Sequence, residues 1–199
     1  MRTIVLENEL FYCHHIGDAD IADVMKFSSL NKKGKGLEDY LKRHAFPDED
    51  NGMMRTYLVR SRFTDELVAY FSLKTGHVSI NEYYYIDEGQ SKIAFDNLPG
   101  IEIANIAVNG RYVQFHPASK GVGVIVFREF IQKIISQVAE AIGVKLIFIF
   151  ALPEADLIKV YSEKYGFVRL PKNQEEQLHA RIKPTYDESC IFMYQLLKK

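Results

Sequence analysis

The feature that most constrains this chain is the change of rhythm after Pro99-Gly100. A strongly apolar run, Ile101 to Val108, is followed by a glycine-bearing stretch, Lys120-Gly-Val-Gly-Val, and then by apolar residues at 127, 130, 131, 134, 135, 138 and 142. That spacing is the 3.6-residue period of a helix with one buried face, and Gly143 stops it. A second apolar run, Lys145 to Phe150, precedes a helical stretch, Glu154 to Tyr165, which ends at Gly166. Strand, helix, strand and helix in this order predict parallel strands joined by helical crossovers, hence a mixed α/β fold with a partly parallel sheet flanked by helices.

The N-terminal half reads differently. Leu10 to Ile16 predicts a strand, and Asp18 or Asp20 caps a helix running to about Leu30. Asn31-Lys-Lys-Gly-Lys-Gly predicts a loop into a helix over Leu37 to His44, and Pro47-Asp-Glu-Asp-Asn-Gly a turn. Thr56 to Arg62 and Leu67 to Thr75, separated by Phe63-Thr-Asp-Glu, have the spacing of an antiparallel hairpin. Residues 76–100, with Tyr83-Tyr84-Tyr85, read as an elaborated connection, and Phe167 to Leu170 and Cys190 to Leu197 as closing strands. The expectation is one domain over residues 1–199.

Composition narrows the classes. With 47% hydrophobic and 26% charged residues in 199, the chain belongs with soluble globular proteins rather than disordered, collagenous or membrane ones. Twenty-five Lys and Arg against 26 Asp and Glu leave a formal charge of −1, so the chain as a whole makes no electrostatic case for nucleic acid. Cys13 and Cys190 stand apart, outside any C-x-x-C pair, which argues against a disulfide framework or a cysteine zinc site and fits a reducing cytoplasm. His14-His15 beside Cys13 cannot ligate one ion from a strand, because neighbours on a strand point to opposite faces; no metal is expected. The apolar run at the N-terminus is too short for a signal peptide, and no stretch reaches a membrane-spanning length.

The glycines of Lys120-Gly-Val-Gly let backbone approach a ligand, and the open N–H groups of a first helical turn favour an anion such as a pyrophosphate. The stretch is neither a P-loop nor a dinucleotide fingerprint, since the G-K-[ST] ending and the third glycine are missing. A glycine-eased turn packing helix on sheet is the competing reading.

Ile101-Glu-Ile-Ala-Asn-Ile-Ala-Val, then Lys120-Gly-Val-Gly, then Tyr161-Ser-Glu-Lys-Tyr-Gly-Phe resembles the GNAT acyltransferase superfamily in order and spacing, from roughly Leu10 to Leu197. The resemblance implies a V-shaped opening in the sheet and acetyl-CoA as cosubstrate. It implies that Ile106, Ala107 and Val108 pair with the pantetheine arm and supply the oxyanion N–H. It places the pyrophosphate on Ser119, Lys120, Gly121, Val122, Gly123 and Val124. The last word is matched to the family's Tyr-x-x-x-Gly-Phe, with Tyr161 as the general acid that protonates the departing thiolate. Glu102 lies six residues before Val108, the offset of the general-base glutamate in the histone-acetylating branch; a solvent-facing or cation-paired strand carboxylate is the alternative. One departure stands out: the pattern [RQ]-x-x-G-x-[GA] puts Ala118 where Arg or Gln is expected, and the preceding loop, Gln114 to Ser119, is longer than usual.

The resemblance extends to the toxin-type branch, which acetylates the α-amine of aminoacyl-tRNA. The words are Leu67-Val-Ala-Tyr-Phe-Ser-Leu-Lys-Thr-Gly-His-Val, Ala139-Glu-Ala-Ile-Gly-Val and Ala151-Leu-Pro-Glu. An α-amine, with a pKa of about 7.7–8.0 against about 10.4 for lysine, needs little help from a base. The expected partners are therefore an amine substrate, either aminoacyl-tRNA or a small molecule, and a second copy of the chain, without a membrane. Lys32, Lys33, Lys35, Lys42 and Arg43, diluted by Glu38 and Asp39, form either a phosphate contact or a solvated charged face. A small-molecule or peptide amine is the rival acceptor, with Asp87-Glu88 and Tyr83–Tyr85 lining a cationic pocket or packing over the sheet edge. A non-catalytic acyl-CoA-binding module is the alternative of another class.

Overall fold

The computed structural model describes residues 3–181 and 189–197; of residues 80–85, 93–95 and 181 it describes the backbone alone. The contacts divide the chain into two compact units, the first made of the residues up to Lys74 with Ile103–Gln137, the second of Thr75–Glu102 with the residues from Val138 onward.

In the first unit, β1 (Ile4–Glu7), β2 (Phe11–His15), β3 (Arg55–Ser61) and the start of β4 (Leu67–Asp87) lie side by side, followed by the end of β5 (Gln90–Val108). The first four pair antiparallel, with Cys13 opposite Val59 and Tyr57 opposite Phe71. All but the first residue of β3 is buried, so both faces of this strand are covered. One face carries α1 (Ile21–Lys26) and α2 (Lys35–Arg43), whose Val24 and Leu41 pack with Phe27, Leu58, Tyr70 and Ala107 in a continuous core. The helix expected to reach Leu30 ends at Phe27 instead, and Leu30 adopts the left-handed conformation at φ 55°. The turn expected at Pro47 is helical: α3 (Ala45–Asp50) holds the proline within its first turn, where a missing N–H costs nothing, and stops at Asn51-Gly52.

Arg60, wholly buried on β3, is the polar centre of this unit. It donates to Asp20 at 2.8 Å, to Asp23 at 2.9 Å, to the Asp65 carbonyl at 2.7 Å and through Nε to His14 Nε2 at 3.1 Å. Since His14 Nε2 accepts, its proton sits on Nδ1, 2.8 Å from the His15 carbonyl. His14 is thereby a packing partner of Arg60, and among the described residues no group of three or more His, Cys, Asp and Glu is placed to hold a metal.

In the second unit, β5 pairs parallel with β6 (Leu146–Ala151) over Gly100↔Leu146 to Glu102↔Phe148, and β6 pairs antiparallel with β8 (Ile191–Leu196), beside β7 (Val168–Arg169). The sheet is thus mixed and partly parallel, with one parallel pairing among the described residues where alternation suggested more. The stretch 76–100 is regular rather than an irregular connection. Strands β4 and β5 run on to a two-residue turn at Glu88-Gly89, both at positive φ, the arrangement whose twist suits a hairpin. Gly100 is required by closeness: a Cβ there would lie 2.8 Å from Leu146 Cδ1 and 3.0 Å from the Leu146 carbonyl. Two helices, α7 (Ala155–Glu163) and α8 (Lys172–Arg181), complete the unit; the second was not anticipated, having little apolar periodicity beyond the buried Leu178.

Both cysteines are buried, and neither is in a disulfide. Burial pushes the Cys13 thiol up to about 12, against a smaller downward pull from a backbone hydrogen bond at Leu6. Neither thiol is therefore expected to react with an aromatic disulfide reagent in the native protein at pH 8, while two equivalents react in guanidinium; reaction of a thiol without denaturant would contradict the packing.

Candidate functional site

The end of β5 brings the first site residues together. Beyond Glu102 no β6 partner pairs with Ile103–Val108 among the described residues, so one edge of this segment is without a strand. Side chains alternate along it: Ala107 is buried in the core, whereas Ile106 and Val108, on the other face, are half-buried. Ala107 thus serves any ligand by its backbone alone. The strand ends at Asn109, whose side chain donates to the Leu67 carbonyl at 2.7 Å and accepts from Arg111 N–H at 3.2 Å, capping α4 (Gly110–Phe115).

The expected long loop is mostly helical: α4 is followed by a single 3-10 turn, Pro117–Ser119. It is tied to the β3–β4 hairpin where the His116 ring lies 2.8 Å from Glu66, and the same ring packs against Tyr112 at 4.4 Å. The Ser119 hydroxyl is used locally, donating to the His116 carbonyl at 2.7 Å. Gly121 then takes φ 91°, a conformation that a side chain would strain, and opens the helix α5 (Val122–Val126). This helix continues through a π turn, Phe127–Ile131, into α6 (Gln132–Ala141). No side chain caps its start, so the first-turn N–H groups are offered to a ligand.

An open pocket of about 350 Å³ lies against this start, lined by Lys120, Gly121, Val122, Ser119 and Ala118 and also by Ser61, Phe63, Tyr112 and His116. Burial raises the Tyr112 phenol, and the Ser61 hydrogen bond partly offsets it. Ala118 lines the pocket without a charge; Lys120 stands two residues away and is exposed. Ser61, Tyr112 and His116 were not picked out in the sequence, because nothing in their local pattern reveals that the hairpin and the helical insertion fold against one another.

In the second unit, Glu102 is 7% exposed on β5, so the solvent-facing alternative is replaced by a buried carboxylate. Tyr161 is on α7 with 4% exposure, its ring edge-on to Tyr165 at 5.5 Å and to Phe167 at 5.9 Å. Burial holds its phenol far above the ordinary tyrosine value. The Gly-Phe word has a structural cause. Gly166, at φ 77°, reverses the chain after α7, the Phe167 N–H closes on the Tyr161 carbonyl at 3.0 Å, and the Phe167 ring covers the helix end. Four residues separate Tyr161 from Gly166, so a spacing of three falls on Ser162, which is exposed. Successive helical residues differ by about 100° in direction, which turns Tyr161 inward and Ser162 outward.

Lys32, Lys33, Lys35 and Arg43 are exposed, and Lys42 is 3.7 Å from Glu38. Asp87 pairs with Lys92 at 2.5 Å beside the hairpin turn. The Tyr83–Tyr85 side chains of the expected cationic pocket lie outside the described residues.

No family model matches the chain. Solved structures do. A mutant of the KacT toxin superposes with a TM-score of 0.61 at 20% identity, covering 94% of this chain and 95% of that one. A mutant of the AtaT toxin gives 0.61 at 16% identity, covering 94% and 89%. AtaT complexed with acetyl-methionyl-tRNAfMet gives 0.57 at 16% identity, covering 82% and 91%. The strand ending at Val108, the glycine-opened helix after it and the Gly166-Phe167 closure of α7 therefore belong to a chain with the GNAT acyltransferase fold, the fold of the AtaT and KacT toxins.

Proposed function

We propose that the protein transfers an acetyl group from acetyl-CoA to a primary amine by direct attack on the thioester, and that the acceptor is the α-amine of an aminoacyl-tRNA. The observation that carries this reading is the end of β5, whose one edge lacks a strand, followed by a helix start with uncapped N–H groups beside an open pocket. AtaT, of the same fold, has been solved with acetyl-CoA and with acetyl-methionyl-tRNAfMet.

Groups of this chain serve carbonyl polarisation, cofactor binding and removal of the amine proton, and the departing thiolate takes its proton from solvent. Backbone N–H groups at Ile106–Val108 polarise the thioester carbonyl. The N–H groups of Gly121, Val122 and Gly123, with the Lys120 ammonium, receive the pyrophosphate; Lys120 supplies the charge that Ala118 lacks. The amine nitrogen forms its bond to the carbonyl carbon as the carbon–sulfur bond breaks. At pH 7 about one α-amine in ten is already neutral, against about one lysine in 2,500, so Glu102 assists proton removal without being indispensable. The departing thiolate, with a thiol pKa of about 8.5, needs only a weak proton donor. Burial makes Tyr161 a poor acid and its packing accounts for its presence, so Tyr161→Phe is expected to change kcat by less than about threefold; a fall of tenfold or more with acetyl-CoA binding intact would restore Tyr161 as the general acid.

A second reading rests on the same two positions. Ala118 in place of a cation and Ser162 at the three-residue spacing suit a chain that binds acyl-CoA without transferring the acyl group. Radioactive acetyl-CoA, incubated with purified protein and cell extract, separates the two. Label in the tRNA fraction that mild ester hydrolysis releases supports transfer to aminoacyl-tRNA. Label in protein or small molecules moves the acceptor to another amine, and no label with calorimetric CoA binding intact supports the non-catalytic module. In the same assay Lys120→Ala is expected to raise the KM for acetyl-CoA about tenfold with kcat unchanged, as loss of a charged contact of roughly 1.5 kcal/mol does.

A further inference from the structure

Glu38, on α2, has a role that the chemistry above does not use. Its Oε1 accepts from the Ser29 N–H at 2.7 Å and from the hydroxyls of Ser28 and Ser29 at 3.0 Å each. Burial alone would raise this carboxyl; the hydrogen bonds from Ser29 and Ser28 and the charge of Lys42 overcome that and hold it below the usual carboxylate range. The segment it grips is strained, since Leu30 follows at φ 55° without being glycine. The same segment reaches the end of β5. The Gly110 N–H donates to the Ser28 carbonyl at 2.7 Å, the Asn109 side chain reaches the Ser28 N–H at 3.5 Å, and a Cβ at Gly110 would sit 2.6 Å from the Ser29 carbonyl oxygen.

We propose that Glu38 is a positioning residue, which through Ser28 and Ser29 fixes Asn109 and Gly110 and so sets where the backbone of Ile106–Val108 presents itself to the thioester. The inference rests on the acetyl-transfer reading, but its first link, from carboxylate to Gly110, is a property of the fold alone. A salt-bridged surface glutamate would need only Lys42; one oxygen taking three hydrogens from a single strained turn is a built clamp. The clamp does not touch the helix start at Lys120–Gly123, so it acts where the thioester and the pantetheine arm meet β5 and not on the pyrophosphate contacts.

The test is native-state amide exchange and steady-state kinetics on the full chain, for Glu38→Ala and Glu38→Gln, with urea unfolding as a check on folding. In Glu38→Ala the Gly110 amide is expected to exchange at least tenfold faster while Val59 on β3 is unchanged. The kcat falls at least tenfold with a smaller rise in the KM for acetyl-CoA, and Glu38→Gln, whose amide oxygen still accepts, recovers part of both losses. Should Glu38→Ala fail to fold, Glu38→Gln carries the same readouts against wild type at smaller size. Unchanged Gly110 exchange overturns the clamp, and faster exchange with unchanged kcat overturns its link to the chemistry. If the wild-type chain transfers no acetyl group, the acetyl-transfer reading fails, and with it the catalytic half of this one. The Gly110 exchange still decides the clamp.

Discussion

Gly110→Ala is expected to destabilise the protein by about 3 kcal/mol, the upper end of what forcing extra volume into packed structure costs, and to lower acetyl transfer with it. The added methyl would meet the Ser29 carbonyl oxygen at 2.6 Å and its carbon at 2.8 Å, and these are backbone atoms, which cannot rotate away as a side-chain tip would. To make room, the Ser28–Leu30 segment must move off the end of β5, breaking the Gly110–Ser28 hydrogen bond of 2.7 Å. Gly121→Ala is the informative control. Nothing lies within 4 Å of a Cβ there, so its cost is only the left-handed backbone at φ 91°, about 1–2 kcal/mol. Urea midpoints of the two variants should therefore differ, with Gly110→Ala the lower. Equal midpoints would mean that the segment before α2 yields freely.

The second large effect belongs to the buried arginine. Removing Arg60 as Arg60→Ala leaves Asp20, itself 1% exposed, without its cation, and the expected loss is about 3–5 kcal/mol. Asp23 is 39% exposed and holds the same guanidinium from the solvent side, so Asp23→Ala is expected to cost less than about 1 kcal/mol. Asp20→Ala falls between, because Arg60 keeps Asp23, His14 and the Asp65 carbonyl. The double variant Arg60→Leu with Asp20→Leu should recover much of the loss by removing both charges together. A chemical-denaturation cycle over wild type, Arg60→Ala, Asp20→Ala and the double alanine variant measures the coupling, and the prediction fails if Arg60→Ala unfolds at the wild-type urea concentration.

Much of the fold was legible because it rests on local patterns. The helix through Phe127, the β6 strand and the β3–β4 hairpin each announce themselves by their period; β3 and β6 lie within about one residue of their expected places, whereas the helix starts earlier, at Val122, and β4 runs on past Thr75 to Asp87. Residues 76–100 do not announce themselves; the pairing of β4 with β5 makes them regular. The helix α3 was hidden by its proline, and α8 by a polar surface with one buried leucine. In the candidate site, Val108 and Gly121 were readable because strand ends and glycine-opened helices leave a local trace. Tyr161 shows the opposite case. A tyrosine, a glycine and a phenylalanine near one another read as a catalytic word, yet burial of the ring and one extra residue of spacing put it in the packing of a helix end.

By itself the sequence determined the hairpin of β3 and β4, the long helix after the glycines and the β6 strand, and it marked the strand before that helix as the candidate place for a ligand. These follow from interactions among residues close in the chain. Only the tertiary structure decided that Arg60 is buried among two carboxylates, that Glu102 is shielded from water, that a hairpin and a helical insertion line one open pocket, and that Glu38 reaches the end of β5 through two serines. Those depend on groups 9 to 81 residues apart in sequence being brought within hydrogen-bond distance. Burial, charge pairing and enclosure are set by that approach, and no local pattern encodes it.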